Sequence, residues 1–353
     1  MTFCREKNQK LLFQVGSVTY CPKSFAVSEN CGNFAHSFNA SEATGCSIVK
    51  PQHRHNRKKK TMTDICCIGH ITKDKIVTPN RTVYMAGGTS FYFAYAINQL
   101  PKDITFSLVT AMDPTETEPV DRMRKAGINV MLNASRNTVF FENRYFGENQ
   151  NERKQRVLAK ADPFTIPQLK DVEAKVYHLG SLLSDDFSPE VVEYLATKGR
   201  VSIDVQGYLR EVRDEKVYPI DWQDKKKVLK NTYYLKVNET EMETITGKKD
   251  PREAALLLHS WGVTEVIITL GSEGSLIYVD QTFYEVPAYK PHEVVDATGC
   301  GDTYSAGYLY RRLQGASPLE AGKFAAAMCT IKLEHNGPFN RTQKDIQQIM
   351  GEA

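Results

Sequence analysis

The sequence of 353 residues contains no uninterrupted apolar run that approaches 18 residues. A helix needs about 20 apolar residues to cross the hydrocarbon core of a bilayer, so no segment is predicted to span a membrane.

The 8 cysteines also lack a convincing CxxC pair or disulfide framework. Cys66 and Cys67 stand in a short apolar run, which is typical of reduced, buried thiols and indicates a cytoplasmic protein.

The main part of the chain lacks an excess of basic residues. Residues 1–61 carry 10 Lys or Arg and 3 Glu, a net charge of +7, and the remaining 35 basic and 39 acidic residues give residues 62–353 a net charge of −4. Nucleic-acid binding by residues 62–353 therefore has no support, because it depends on basic residues that neutralise phosphates. The hydrophobic content of 41% is that of a globular protein with a buried core.

Residues 1–61 show no sustained hydrophobic periodicity and end in the basic run PQHRHNRKKK. We expect a disordered or non-native extension, either a flexible tail or a basic tail that binds acidic partners. A zinc site is disfavoured, because the cysteines and histidines lack close ligand pairing. Met62 begins a segment that continues almost at once into an apolar strand. We therefore expect the folded domain to span residues 62–353 and Met62 to be the true first residue of the protein. Mass-spectrometric recovery of peptides from residues 1–61 in the native protein would contradict that start.

The most informative stretch is VVDATGCGDTYSAGYLYRRL, residues 294–313. Its pattern predicts a strand that ends at Val295, a tight turn through Gly299 and Gly301, and a helix that Asp302 opens. Free N–H groups at the start of a helix favour an anion such as phosphate. The stretch therefore predicts an anion-binding loop.

Asp302 would repel a phosphate unless its carboxylate had another role, such as taking a proton from an attacking hydroxyl. The loop is not a Walker A motif, because no Gly-Lys-Ser/Thr follows it. It is not a Rossmann fingerprint either, because Tyr304 stands where the third glycine belongs. The residues alone are equally compatible with an ordinary glycine turn that Asp302 caps.

The segment D-A-T-G-C-G-D, which ends at Asp302, resembles the C-terminal signature D-T-x-G-A-G-D of the ribokinase-like (PfkB) family of carbohydrate kinases. Two positions depart from the signature, both with small residues. The resemblance implies that Asp302 is the catalytic base. It also implies that the turn through Gly299, Cys300 and Gly301 holds the charge that develops on the phosphoryl group. Phosphoryl transfer depends mainly on positioning and charge stabilisation, which suits these residue types.

Three segments resemble the substrate-binding parts of this family. GHITKD ends at Asp74 and is similar to the first-strand segment whose Asp binds substrate hydroxyls, and GGTSFY is similar to the signature G-G-x-x-x-N with Tyr92 in place of the sugar-binding Asn. DVQGYLR is similar to a strand end that faces substrate or phosphate, with Gln206 in place of Asn. On their own, Asp74 fits a solvated turn and the glycine pair fits a junction between loop and helix. The resemblance implies substrate contacts from Asp74, Gly88, Tyr92, Gln206 and Arg210.

Two further segments resemble the parts of the family that bind metal and nucleotide. N-E-T-E, from Asn238 to Glu241, matches the motif N-x-x-E, which implies that both residues organise Mg²⁺ through water. Alone it reads as a capping box at a helix start, and the two roles can coexist. TLGSEG resembles the loop beside the nucleotide ribose and phosphates, although by itself it is only a hairpin turn. The resemblance implies ATP contacts from Thr269, Gly271, Gly274, Asn336 and Gly337.

Apolar runs alternate with amphipathic segments between residues 175 and 270, which favours a parallel sheet covered by helices. The capping box that starts at Ser317 predicts a further helix. The resemblance implies a three-layer α/β/α sandwich with a mainly parallel central sheet. It also implies a small β lid within about residues 74–86 and 138–147. Such a lid excludes water, and its exposed strands invite pairing in a homodimer.

The motifs follow one another in the order of the family, which predicts an ATP-dependent kinase that phosphorylates a hydroxyl of a small sugar or cyclitol. Tyr92, together with the segment from Asp204 to Gly207 and Arg210, resembles family members that act on cyclitols such as myo-inositol, or unassigned sugar kinases, more than ribokinase itself. One alternative is a nucleoside kinase in which Tyr92 stacks on a base. Another is a non-catalytic nucleotide-binding protein of the same fold. Asp302 argues against the second, because a binding protein has little use for a carboxylate that faces phosphate.

Overall fold

Two β-sheets organise the part of the chain that the structure describes. The computed structural model describes residues 62–146 and 153–351. The predictions made for residues 1–61 lie outside these ranges. In chain order the strands are β1 (Thr63–Ile68), β2 (Thr72–Val77), β3 (Thr82–Gly87), β4 (Phe106–Met112), β5 (Val130–Ala134), β6 (Val139–Tyr145), β7 (Arg153–Ala159), β8 (Ala174–Gly180), β9 (Arg200–Asp204), β10 (Arg210–Arg213), β11 (Lys216–Pro219), β12 (Tyr234–Asn238), β13 (Glu265–Thr269), β14 (Ser275–Val279) and β15 (Thr282–Val286).

The central sheet has nine strands in the order β15-β14-β13-β12-β9-β8-β1-β4-β5. Its strands pair in parallel from β13 to β5, whereas β14 and β15 form antiparallel pairs at one edge. The strands alternate with helices along the chain, which is the arrangement that parallel pairing requires. The predicted α/β class with a mainly parallel sheet is confirmed.

Helices cover both faces of the central sheet. They are α1 (Thr89–Asn98), α2 (Glu118–Lys125), α3 (Ile166–Leu169), α4 (Pro189–Ala196), α5 (Lys225–Leu229), α6 (Glu239–Thr246), α7 (Pro251–Ser260), α8 (Cys300–Leu313), α9 (Pro318–Leu333) and α10 (Gln343–Met350). Side chains of α1, α2, α8, α9 and α10 belong to one hydrophobic core, and those of α3 to α7 belong to the other. Alternate residues of β1 point to opposite cores, Ile65 and Cys67 to the first and Cys66 and Ile68 to the second. Among the described residues, Cys66, Cys67, Cys300 and Cys329 are free thiols.

The second sheet contains the segments predicted as a lid and is called the lid sheet; it has six strands in the order β10-β11-β7-β6-β2-β3. Sequence reasoning found the segments of β2, β3 and β6 but not β7, β10 and β11. These three strands read RKQRVLA, REVR and KVYP, so charged residues hide the alternation that identifies a strand. Pairing with neighbouring strands holds them in the sheet, together with a small apolar cluster to which the three strands contribute Val157, Val212 and Val217.

The prediction of a strand that ends at Val295 is wrong. No strand is assigned at residues 287–299, and the Val294 side chain is 69% exposed. The amides of Val295 and Asp296 instead donate to the Leu333 carbonyl at the end of α9, at 2.7 and 3.1 Å. A pair of β-branched residues favours extended backbone, but a strand also needs a neighbouring strand to pair with, and here the end of a helix takes that place.

Other predicted elements have the expected positions. The strands predicted near residues 175–179, 201–204, 232–237 and 266–270 are β8, β9, β12 and β13, and the capping box at Ser317 starts α9 with its hydroxyl accepting from the Glu320 amide. Within residues 62–146 and 153–351, no helix is both long enough and apolar enough to cross a bilayer.

Candidate active site

A cleft of about 1180 Å³ lies where the lid sheet meets the carboxyl ends of the central strands. Asp204, Asn238 and Thr269 end strands β9, β12 and β13, and all three line the cleft. Asp74 and Asn143, on lid strands β2 and β6, also line it. In open α/β sheets, ligands bind outside the carboxyl ends of the strands, so this cleft is the candidate active site.

The cleft brings together most of the residues that the sequence predicted as site residues. The exceptions are Cys300, Gly271 and Gly274, which do not line it. Gly271 opens a short 3₁₀ turn, and the Gly274 carbonyl accepts from the Leu270 amide at 2.8 Å in the connection between β13 and β14. These two glycines therefore form the hairpin turn. The predicted residues that line the cleft are Asp74, Gly88, Tyr92, Gln206, Arg210, Asn238, Glu241, Thr269, Gly299, Gly301, Asp302, Asn336 and Gly337.

The glycine loop begins helix α8 at one end of the cleft. Gly299 is the N-cap residue with a φ of 80°, a left-handed conformation that glycine adopts at little cost. Asp302 is the third residue of the helix rather than its cap, so the interpretation as a turn capped by Asp302 is wrong. The Cys300 amide donates to the Ala297 carbonyl at 3.2 Å, so Cys300 does not offer the free amide that the sequence predicted. Within the described residues the amides of Gly301 and Asp302 have no backbone carbonyl partner, which leaves them able to bind an anion.

Tyr92 packs against this loop. A Cβ atom added at Gly299 would lie 2.3 Å from Cδ1 of the Tyr92 ring, so only glycine leaves room for the ring. Tyr92 is 4% exposed, and burial together with the nearby Asp296 carboxylate raises the pKa of its hydroxyl. The aromatic residue that replaces the expected Asn therefore supports the glycine loop in addition to lining the cleft.

A buried ion pair fixes the far end of α8. Glu265 is fully buried at the start of β13, and its two carboxylate oxygens accept from Nε and Nη2 of Arg312, each at 3.0 Å. The Tyr308 hydroxyl also donates to Glu265. Because such two-pronged pairs restrict both distance and angle, they hold the helix that carries Asp302 in one orientation on the sheet.

The environment of Asp302 raises its basicity. Burial and the nearby Asp204 carboxylate raise the pKa of Asp302 to about 8, although Lys236, a hydrogen bond from the Thr89 hydroxyl and Arg210 act in the opposite direction. A like charge nearby and a desolvated position both disfavour ionisation of a carboxyl group. A carboxylate with a pKa near neutrality can both lose and accept a proton under physiological conditions, as a general base must.

Sequence reasoning missed Lys236, which lies beneath the glycine loop. Its Nζ is 2.8 Å from Oδ2 of Asp204, and the two side chains are only 8% and 6% exposed. Burial opposes the charge on each, but their mutual attraction raises the pKa of Lys236 and holds the pKa of Asp204 below its ordinary value. A Cβ atom at Gly301 would lie 3.2 Å from this Nζ, so the ammonium group adjoins the glycine turn. The signal in the sequence was a lysine inside the apolar strand YLKVN, directly before the Asn-x-x-Glu motif.

Asn238 and Glu241 form the predicted capping box at the start of α6. The Asn238 Oδ1 accepts from the Glu241 amide and the Glu241 Oε2 accepts from the Asn238 amide, both at 2.9 Å. Burial and the Asp204 carboxylate raise the pKa of Glu241. The predicted capping box is therefore present, and both of its residues also line the cleft.

Gln206 and Arg210 connect the central sheet to the lid. Gln206 starts a 3₁₀ turn and its amide donates to Oδ1 of Asp204 at 3.2 Å, whereas Arg210 is the first residue of lid strand β10. The Arg210 guanidinium lowers the pKa of both Asp302 and Glu241 against the effect of their burial. A lid residue is thus electrostatically coupled to the candidate base.

This fold and this cleft define a class of enzyme, the ribokinase-fold phosphotransferases that use a hydroxyl group as acceptor. The family profile of the pfkB family carbohydrate kinases matches residues 62–344. The chain belongs to that family.

Relatives within the family act on different acceptors. A cytidine kinase from Thermococcus kodakarensis is 28% identical over 276 residues, which cover 73% of this chain and 91% of that protein. A structure described as a pyrophosphate-dependent kinase in the ribokinase family complexed with a pyrophosphate analog and myo-inositol superposes with a TM-score of 0.72 at 29% identity, covering 80% of this chain and 99% of that one. The ribokinase of Arabidopsis thaliana, solved with ribose and ATP, has a TM-score of 0.66 at 18% identity, covers 82% of this chain and 99% of that one, and supports the fold alone.

Proposed function

We propose that this protein transfers the γ-phosphoryl group of ATP to a hydroxyl of a small cyclitol or sugar, with Asp302 as the general base. The observation that carries the proposal is the position of Asp302. It lies in the first turn of α8, beside a glycine loop and the Lys236 ammonium, in a cleft that the polar side chains of Asp74, Asn143 and Gln206 also line. An anion site and a base at one point are what phosphoryl transfer to a hydroxyl needs.

In the proposed reaction the Asp302 carboxylate takes the proton of the acceptor hydroxyl as its oxygen bonds to the γ-phosphorus. The bond from that phosphorus to the bridging oxygen breaks, and ADP leaves with the bonding electron pair. Free amides in the first turn of α8, near Gly301, and the Lys236 ammonium stabilise the negative charge on the transferred group. Asp74, Gly88, Tyr92, Gln206 and Arg210 line the cleft where the acceptor would bind.

Asn238 and Glu241 would hold Mg²⁺ through water, because their side chains offer the oxygen atoms that this ion prefers. Within the described residues no three His, Cys, Asp or Glu side chains gather as a metal cage. This fits Mg²⁺, which is commonly held by one or two carboxylates together with water and substrate phosphates. When bound, the ion would neutralise part of the charge of the donor phosphates. Thr269, Asn336 and Gly337 line the same cleft and would contact the nucleotide.

The acceptor we favour is a cyclitol such as myo-inositol, because a ribokinase-family kinase that superposes with a TM-score of 0.72 at 29% identity was solved in complex with it. That kinase is pyrophosphate-dependent, so pyrophosphate is a second candidate donor. A nucleoside is the second candidate acceptor, since the cytidine kinase covers most of this chain. Both alternatives keep the proposed roles of Asp302 and the glycine loop.

A matrix of donors and acceptors tests the proposal. The full-length protein with Mg²⁺ would receive ATP or pyrophosphate, each with myo-inositol, pentoses, hexoses, cytidine or adenosine, and phosphorylated products would be measured by mass spectrometry. The Asp302→Asn variant is the control for contaminating kinases. We expect ATP with myo-inositol to give the highest kcat/KM. Preferred turnover of cytidine, or of pyrophosphate over ATP, would reject that part of the proposal, and no product from any pair would reject the kinase function with these substrates.

The pH dependence of the reaction tests Asp302 as the base. Only the deprotonated carboxylate accepts a proton, and its pKa is raised to about 8. With subsaturating substrate, kcat/KM should therefore rise about tenfold per pH unit on the acid side and level off above about pH 8. Thr89→Val removes a hydrogen bond that lowers this pKa and should move the rise to higher pH. A flat profile between pH 6 and 9, or a shift to lower pH in the Thr89→Val variant, would contradict the assignment.

We also propose that two copies associate through their lids. Strand β3 lies at an edge of the lid sheet, and Tyr84 on it is 59% exposed. An exposed edge strand with apolar side chains invites pairing with a second copy. Light scattering after size exclusion should give twice the chain mass, and Tyr84→Lys should give a folded monomer whose melting temperature no longer depends on protein concentration. A monomeric wild-type protein at micromolar concentration would rule this association out.

A further inference from the structure

Lys332 is a buried lysine near the end of α9. It is 1% exposed, and its ammonium donates to three oxygen atoms: the Asp296 carbonyl at 2.9 Å, Asp296 Oδ2 at 3.2 Å and the His335 carbonyl at 3.1 Å. Lysine is almost never fully buried without partners, because the charge must leave water. Here the oxygens satisfy the ammonium completely, since it has three N–H donors.

The contacts of Lys332 hold the segment that leads into the glycine loop. Asp296 stands three residues before Gly299 and lines the cleft. Its amide donates to the Leu333 carbonyl at 3.1 Å, and its Oδ1 accepts from the Thr298 amide at 2.9 Å. Asp296 is therefore fixed at its amide, its carbonyl and both carboxylate oxygens. The segment has no β-sheet partner, so these contacts with the end of α9 determine where the loop begins.

The charge of Lys332 matters as well as its hydrogen bonds. The Asp296 carboxylate is 21% exposed beside the proposed phosphate position, and an unpaired carboxylate there would repel a phosphoryl donor. Two carbonyl oxygens and one carboxylate oxygen that converge on one point are also the ligands that a small monovalent cation would take. In this chain a covalently attached ammonium fills that position.

We propose that Lys332 is a positioning residue whose ammonium acts as a built-in monovalent cation for the anion-binding loop. The inference rests on the proposed phosphoryl transfer. It predicts that the protein works equally well in potassium, sodium or choline salts, because its own side chain supplies the cation. It also predicts that removal of the ammonium creates a requirement for an external cation.

Three variants separate this role from a merely structural one. Lys332→Met keeps the length of the side chain and removes its charge, Lys332→Ala leaves space for a small cation, and Lys323→Met is the matched control on the same helix. We expect the wild-type protein and Lys323→Met to differ by less than about twofold in kcat between salts. Lys332→Met should lose kcat by a factor on the order of 10², as a displaced catalytic loop does. Lys332→Ala should regain at least about tenfold of its loss in ammonium or potassium chloride but not in choline chloride.

Binding of pyrophosphate, measured as a rise in melting temperature, distinguishes failure of this inference from failure of the proposed function. If the wild-type protein turns over no substrate pair, the inference still requires that pyrophosphate stabilises the wild-type protein and Lys323→Met but not Lys332→Met. It also requires that ammonium chloride restores the stabilisation of Lys332→Ala by pyrophosphate. Equal stabilisation of every variant would overturn the inference. So would potassium dependence of the wild-type rate, or a loss of activity in Lys332→Ala that no cation restores.

Discussion

Replacement of Asp302 by asparagine is expected to lower kcat by a factor of about 10² or more while donor binding remains largely unchanged. Asparagine keeps the shape of the side chain but cannot take a proton from the acceptor hydroxyl. It also removes a negative charge beside the proposed phosphate position, so binding of ATP should hold or strengthen. Single-turnover rates and donor affinity from calorimetry would measure the two effects separately.

Asp345→Asn is the matched control for this variant. Asp345 is also the third residue of a helix, α10, where its carboxylate accepts from the Thr342 amide at 2.7 Å, and it does not line the cleft. The control should leave kcat unchanged and affect only the stability of that helix, by about 1 kcal/mol or less. Turnover by Asp302→Asn at the wild-type rate would remove Asp302 from the mechanism.

The sequence predicted those parts of the molecule whose signals are local. The glycine loop and Asp302 fall within seven residues, and the capping boxes at Asn238 and Ser317 each span four, so short-range pattern and chemistry were sufficient. The alternation of apolar strands with helices likewise predicted the parallel sheet, because each element must bury one face or both faces on its neighbours.

The parts that sequence reasoning missed depend on partners that are distant in the chain. Lys332 has the sequence context of an ordinary lysine, and Lys236 differs only in standing inside an apolar strand. Their pairing with Asp296 and Asp204 shows that both are buried charges. Val295 has the composition of a strand residue but lacks a neighbouring strand, and its amide bonds the end of α9. Composition indicates which backbone conformation a segment prefers, whereas its tertiary contacts decide which conformation it adopts.

The charges of the cleft form one coupled group. Burial and the Asp204 carboxylate raise the pKa of Asp302 and of Glu241, whereas Lys236 lowers both and Arg210 on the lid sheet does the same. A carboxylate in water would be too weak a base to take the proton of the acceptor hydroxyl. A fully desolvated carboxyl group would stay protonated, because burial disfavours its charged form. The balance between these charges gives Asp302 a pKa near the pH at which the protein would work.

Replacement of Lys236 by methionine is expected to lower kcat by a factor of roughly 10² to 10³, because it removes a positive charge beside the developing charge of the phosphoryl group. It should also destabilise the fold by about 3–5 kcal/mol, since Asp204 then remains buried without its partner. The first effect would be measured as single-turnover rates at saturating donor, and the second as the free energy of unfolding in urea.

The double variant Lys236→Met with Asp204→Asn separates the two effects. Removing both members of a buried ion pair costs much less stability than removing one, so the double variant should recover most of the lost free energy of unfolding. Its kcat should nevertheless stay low, because no cation adjoins the Gly301 turn. Recovery of stability and of kcat together would mean that Lys236 only neutralises Asp204. Recovery of stability alone assigns to Lys236 a direct part in stabilising the transferred phosphoryl group.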